Sequence, residues 1–318
     1  MPYINVDEAY ILDNTGLQVD MATDIPFADA GFTDAQKAQA RKNIAAGGSN
    51  PNLLDNAYFV GGGSQLGDGI FPINQRGQSS YTAAGNNGID RWGGSYCNIV
   101  LNASGLTITS TGYTNNLYQF VPYKVWDGLV GKTVTLSFDV EAITGSWAIA
   151  AYNSAVGTIS TTGITSVSFV VPSVADSNKF IGLAGQSGNV ITLKAVKLEL
   201  GTVSTLANDP PPDFGEELRK CKRYLRYVSL KRLPVFCDAN YLVAMTTLEG
   251  LEMRATPTPT IVSAGHIFNP STSATSVPTA VSILAFEYNT ATIQLSIPAA
   301  FNGFCIAVDS AICLSAEL

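Results

Sequence analysis

The 318-residue chain carries charged side chains at only 14 % of its positions, against roughly 25 % in ordinary soluble domains, and its mean hydropathy is +0.17. A net charge of −7 argues against a chain-wide nucleic-acid binder, which needs a basic surface, and no stretch approaches the ~20 apolar residues of a membrane helix. The length suits two medium domains with smaller additions, and so uncharged a chain is expected to hide surface between subunits.

In chain order, residues 1–30 are polar and irregular, with weak alternation in AYILD. The opening MPYINVDEAY has neither the basic nor the apolar region of a secretion signal. A helix is expected over 33–46: Thr33 and Gln36 form a capping box, and Gly47 and Gly48 end it. Its apolar stripe is thin (Ala35, Ala38, Ile44, Ala45), which suits close packing against copies of itself or against its own domain. Residues 51–205 read as strands. TVTLSFDVEA places Val134, Leu136, Phe138 and Val140 on one face, SVSFVVPS places Val167, Phe169 and Val171, and VITLKAVKLELG places Val196, Leu198 and Leu200. Period-two runs between Gly, Asn and Ser turns predict a sandwich or barrel. YKVWDGLVGK (123–132) has room for one helical turn.

Three prolines at 210–212 then predict a stiff linker. Asp213 and Glu216 form a second cap signature, and the helix that follows is expected to carry Leu218, Cys221, Leu225 and Val228 on one face. Seven of the 18 Lys and Arg fall between Arg219 and Arg232; a solvated or inter-subunit face explains them better than an anion site, because Glu216 and Glu217 offset them. Residues 233–318 return to alternating or apolar runs, expected as a smaller β domain, and TPTPTIV (256–262) is excluded from a central strand by its prolines. The five cysteines, Cys97, Cys221, Cys237, Cys305 and Cys313, have no CxxC spacing. They read as free buried thiols of a protein made in a reducing cytoplasm.

Four phrases carry a resemblance: TDAQKAQARKNIAA, NLLDNAYF…INQRG…IDRW (52–92), GLVGKTVTLSFDVEA and VKLELGTVSTLANDPPPDFGEELRKCKRYL. In this order they resemble segments of bacteriophage and prophage tail-fibre proteins over roughly residues 30–230. The resemblance implies a jelly-roll sandwich similar to carbohydrate-binding modules, homotrimeric assembly, a place on the virion, attachment to a tail or baseplate protein through the N-terminus, and a host-surface glycan or protein receptor. The expected layout is an attachment segment (1–30), a helical connector (31–50), the sandwich (51–208), a Pro-rich linker with helix (209–232) and a distal β tip (233–318). Ala35, Ala38, Ile44, Leu218, Cys221, Leu225 and Val228 would then be oligomerisation residues.

Catalysis has few candidates. His266 is the single histidine and GxSxG is absent; a carboxylate pair of the glycosidase type stands out only at Asp90 and Asp127. No cofactor is expected, nor a metal site, since Asp68 in VGGGSQLGDG is one lone ligand in a glycine loop. Sugar binding is the more plausible chemistry: it needs an exposed aromatic platform beside hydrogen-bonding side chains. Asp90, Arg91, Trp92 and Tyr96, then Tyr113 and Tyr118, then Trp147, Tyr152 and Asn153 are the candidates. For Trp92 and Trp147 the competing reading is a place in the core. A virion spike without receptor binding and a surface-polysaccharide depolymerase are the alternative functions.

Overall fold

The computed structural model describes residues 10–12, 18–20, 50–60, 72–82, 88–210, 212–230, 233–238, 241–247, 253–287, 290–298, 303–308 and 310–316. Residues 1–48 and 49–318 form two compact units. In the first, β1 (Tyr10–Leu12) pairs antiparallel with β2 (Gln18–Asp20). The connector helix expected over 33–46, with Ala35, Ala38 and Ile44, lies outside the described residues, as does the loop that carries Asp68.

The second unit is mainly β, with every pairing among the described residues antiparallel. Its first part runs β3 (Ser80–Thr82), β4 (Cys97–Asn102), β5 (Gly105–Ser110), β6 (Leu117–Phe120), α1 (Tyr123–Leu129), β7 (Thr133–Thr144), β8 (Trp147–Ala151), β9 (Ser154–Ile159), β10 (Gly163–Val170), β11 (Phe180–Gly185) and β12 (Val190–Leu200). Two sheets result, ordered β10-β7-β12-β5-β4-β3 and β6-β11-β8-β9. Both feed one hydrophobic core: Val134, Leu136, Phe138 and Val140 from β7 meet Trp147 and Ile149 from β8 and Ile181 and Leu183 from β11. The alternation in TVTLSFDVEA thus does what its period predicts, sending every second side chain inward. α1 is longer than the expected single turn, and it buries Trp126, whose indole donates to the Pro172 carbonyl at 3.0 Å.

β12 departs from a half-buried strand. Val196 and Leu198 lie in the core as expected, but Leu200 is exposed, while Lys197 and Glu199 on the other face are fully buried. The segment after β12 folds back over them. Lys197 Nζ donates to Thr205 Oγ1 at 2.8 Å and to Asp209, and Glu199 accepts from the Thr205 amide and hydroxyl at 2.7 and 2.6 Å. A buried charge is tolerable only when paired and hydrogen-bonded, so these contacts tether the proline-rich linker to the sandwich.

α2 (Phe214–Cys221) starts at the predicted cap, where Asp213 accepts from the Glu216 amide at 2.7 Å. It stops at Cys221, and the helical face drawn through Leu225 and Val228 does not form. Those two residues belong to β13 (Leu225–Ser229), which pairs with the last strand of the fold. Leu225 and Tyr227 with β-branched Val228 fit a pleated ladder, and tertiary pairing overrides helical spacing. Leu218 and Cys221 pack against Ile73, Tyr58 and Phe214 of the same chain. Cys221, Leu225 and Val228 are therefore buried within the chain rather than offered to other subunits.

The remaining strands are β14 (Leu233–Asp238), β15 (Tyr241–Thr247), β16 (Thr258–Ser263), β17 (His266–Asn269), β18 (Ala274–Ser276), β19 (Ala280–Glu287), β20 (Thr290–Ser296), β21 (Gly303–Val308) and β22 (Ala311–Ser315). They form sheets ordered β13-β22-β16 and β18-β17-β21-β14-β15-β20-β19 over a second hydrophobic cluster. Pro259 lies in β16, at a sheet edge, where a missing donor costs no ladder bond. His266 opens β17 opposite Val308 rather than sitting in a loop. Cys97, Cys221, Cys305 and Cys313 are buried thiols not joined in disulfides. No helix among the described residues is long and apolar enough to cross a membrane.

Replacing Lys197 with Ala strands Glu199 and Asp209 without their cation. The expected cost is about 3–5 kcal/mol of unfolding free energy, read from urea denaturation of the full chain; a loss below about 1 kcal/mol would show that the two carboxylates are served by water instead.

Candidate functional site

The nine predicted ligand residues separate into five buried ones, half-buried Tyr152 with exposed Asn153 beside it, and an exposed pair of tyrosines. Two of the buried residues, Asp90 and Trp92, bond to Asn56, which adopts a left-handed φ of 51°. Its side chain donates to the carbonyls of Ile73 and Asp90, both at 2.8 Å, and accepts from the Ile73 amide at 2.7 Å. Its own amide donates to Glu217 of α2 at 2.7 Å, and its carbonyl accepts from the Trp92 indole at 2.8 Å. Asp90 accepts from Gln75 Nε2 at 2.6 Å, and the same nitrogen donates to the Leu225 carbonyl at 2.9 Å. NLLDN, INQRG and IDRW thus meet in one buried polar knot joined to α2 and β13. Asp90 and Trp92, each 1 % exposed, hold the fold there and present no platform to a sugar. Asp127 stands elsewhere, paired with Lys179 at 2.7 Å, so the two carboxylates do not share a site.

Arg91 follows the knot at a left-handed φ of 71°. Its Nε donates to Asp55 at 2.9 Å and its Nη2 to the Phe120 carbonyl at 2.9 Å, and the guanidinium lies 3.5 Å over the Tyr224 ring. It also borders a cleft. Tyr118 is buried edge-on to Phe120 and Phe180. Its ring rests on Gly93, where an added Cβ would stand 2.6 Å from the ring carbon Cζ. Burial raises the Tyr118 phenol above its ordinary value.

Trp147 is fully buried in the core, and its indole N–H has no hydrogen-bond partner among the described residues. Tyr152 and Asn153, at φ of 43° and 64°, make the two-residue turn between β8 and β9, the geometry that twisted hairpins favour. The Tyr152 ring packs against Trp126 and Phe169. Trp147, Tyr152, Trp92 and Tyr118 therefore serve packing, because large aromatics contribute most where their whole surface leaves water.

Tyr96 and Tyr113 are the exposed pair, 65 % and 60 % exposed. Tyr96 holds a left-handed φ of 47°, unusual for a bulky side chain. Its carbonyl accepts from the Thr111 amide at 2.7 Å, and a Cβ added at Gly112 would stand 3.5 Å from its ring carbon Cδ1. Fully buried Asn116 clamps both segments: Nδ2 donates to the carbonyls of Ser95, Tyr96 and Gly112 at 3.0, 2.9 and 2.9 Å, and Oδ1 accepts from the Gly185 amide at 2.7 Å. Strain held by surrounding hydrogen bonds is a feature of binding surfaces. GGSYCN (93–98) and TGYTNN (111–116) are thus joined at one edge, which includes half-buried Asn115.

No group of three or more His, Cys, Asp or Glu side chains suited to a metal occurs among the described residues. No protein-family model matches the chain, and no curated protein matches it in sequence.

The clamp carries a pH signature. Cys97 donates its thiol to the Asn116 carbonyl at 2.7 Å, and burial pushes that thiol from 9.0 up to about 12. The folded state holds the proton more tightly than the unfolded one, so the stabilisation is complete below about pH 9 and is lost as the pH rises through about 12. Thermal melts across this window are expected to fall less steeply for Cys97→Ser, which keeps a donor but removes the titration. Parallel slopes would remove Cys97 as the titrating group.

Proposed function

We propose that this chain is the subunit of a trimeric phage or prophage tail fibre, borne on the virion through its N-terminal segment, that attaches to glycans of the host surface without processing them. The two-sheet body of residues 51–208 is read as the jelly-roll sandwich that the four sequence phrases imply. One observation carries the binding part of this reading: two exposed tyrosines on segments that a buried asparagine clamps together. A saccharide offers apolar C–H faces and hydroxyls, and a half-exposed aromatic with amide neighbours suits both. For assembly, the support is the apolar row Tyr241, Val243 and Met245, which stands exposed along β15, together with a charge content too low for a chain that meets water on all sides.

A second reading is a virion spike with no receptor. The burial of Trp92, Trp147 and Tyr118 favours it, since it removes three of the aromatic residues a glycan site would have used.

Light scattering during gel filtration is expected to give three times the 33.5 kDa chain mass; a monomer at micromolar concentration would sink the fibre assignment. In a glycan-array and bacterial-panel assay, the full chain is expected to bind, and Tyr96→Ala/Tyr113→Ala to bind at least about tenfold more weakly. Its melting temperature should not change, because both side chains are exposed. Binding that survives the double substitution would move the receptor site elsewhere, and no binding by the unaltered chain would favour the spike.

A further inference from the structure

A cleft of about 490 Å³ opens where the end of β6 and the start of α1 face the segment between α2 and β13. Arg91, Phe120, Tyr123, Asp176, Tyr224 and Arg254 are among its walls. Its charges are unevenly matched. Arg91 is spoken for by Asp55 and by the Phe120 carbonyl. Asp176 is spoken for by Lys179, whose Nζ stands 2.6 Å from it. Arg254 has no such match: its guanidinium sits 5.7 Å from the Tyr224 ring, and its Nη1 is shielded from solvent with no hydrogen-bond acceptor among the described residues. A shielded cationic donor lacking an acceptor is a costly arrangement, and an anion in the cleft would relieve it.

The remaining walls narrow the anion. One unmatched guanidinium suits a single negative charge, and the Asp176 carboxylate would repel a phosphate dianion. Asp176 and Ser177 supply acceptors and a donor for hydroxyl groups. Tyr123, half-exposed at 49 %, and Phe120 supply apolar faces. We infer that this cleft binds a carboxylated saccharide, a uronic or nonulosonic acid residue, with the carboxylate on Arg254, hydroxyls on Asp176 and Ser177, and the ring against Tyr123. Arg91 is a positioning residue: stacked on Tyr224, it holds the ring that flanks Arg254. This deepens the attachment reading and rests on it for biological sense, but the site is separate from the Tyr96 edge and is tested separately.

Titration calorimetry of the full chain with sodium D-glucuronate and with N-acetylneuraminic acid, against D-glucose and sodium acetate, tests it. At least one carboxylated sugar is expected to bind in the millimolar range or tighter, with glucose and acetate at least about tenfold weaker. Arg254→Gln should lose about tenfold or more in affinity, and Tyr123→Ala should also weaken binding. Neither Arg254 nor Tyr123 is fully buried, so both variants are expected to melt as the parent does. Equal binding of glucose and glucuronate, full affinity in Arg254→Gln, or no heat with either acid would overturn the inference. Those results leave the attachment reading to the array and panel assay, which fails only if the unaltered chain binds no surface.

Discussion

Hydrogen-bonding groups withdrawn from water must be satisfied inside the protein, and the body of this chain is organised around one place where that demand is met. Asn56 pairs with Ile73 and Asp90, while Glu217 and the Trp92 indole bond its backbone. Gln75 continues the set to the Leu225 carbonyl. Segments more than a hundred residues apart in sequence are thereby locked to one another. Removing any single partner would leave the others buried and unpaired, which is what makes such a network cooperative. A second knot, around Lys197, fastens the linker after β12 in the same way.

The segment carrying Leu53 and Phe59 bonds to Leu198 and Lys194 of β12, alongside the part of that strand beyond its pairing with β5. Tying down that segment and the linker leaves little freedom along that half of β12. At the other end of the strand, beside Ser110 and Asn189, Tyr96 is kept in a left-handed conformation by Asn116. Bonds to Asp55 and to the Phe120 carbonyl hold Arg91 over Tyr224. Binding surfaces on held elements lose less entropy on meeting a ligand than free loops do, and both the tyrosine edge and the arginine cleft are of the held kind.

The two surfaces differ in chemistry. The tyrosine edge is neutral, open and flanked by amides, and so suits weak, repeated contacts that gain strength from multiple copies. The cleft is concave and carries one unmatched cation, which suits a single defined residue of a polymer. A trimer bearing both would combine a selective contact with a permissive one.

Much of the fold was legible in the residues alone. Period-two runs such as TVTLSFDVEA located strands, because alternation is imposed by local backbone geometry. Asp213 announced the start of α2, since a cap is a contact between residues three apart. The helical face drawn through Leu225 and Val228 failed, because cross-chain pairing with β22 decided that segment. In the sequence, Trp92 and Trp147 suited either a sugar platform or the core. Whether a ring faces core or solvent depends on which sheet lies across from it, and that is a property of distant strands. Arg254 and Tyr224 carried no local signal; only folding brings them to Arg91. The sequence by itself determined where the strands, turns and one helix start form, because those are set by neighbours along the chain. The tertiary structure alone decided which polar and aromatic side chains are buried and which are free to bind, because burial is set by neighbours in space.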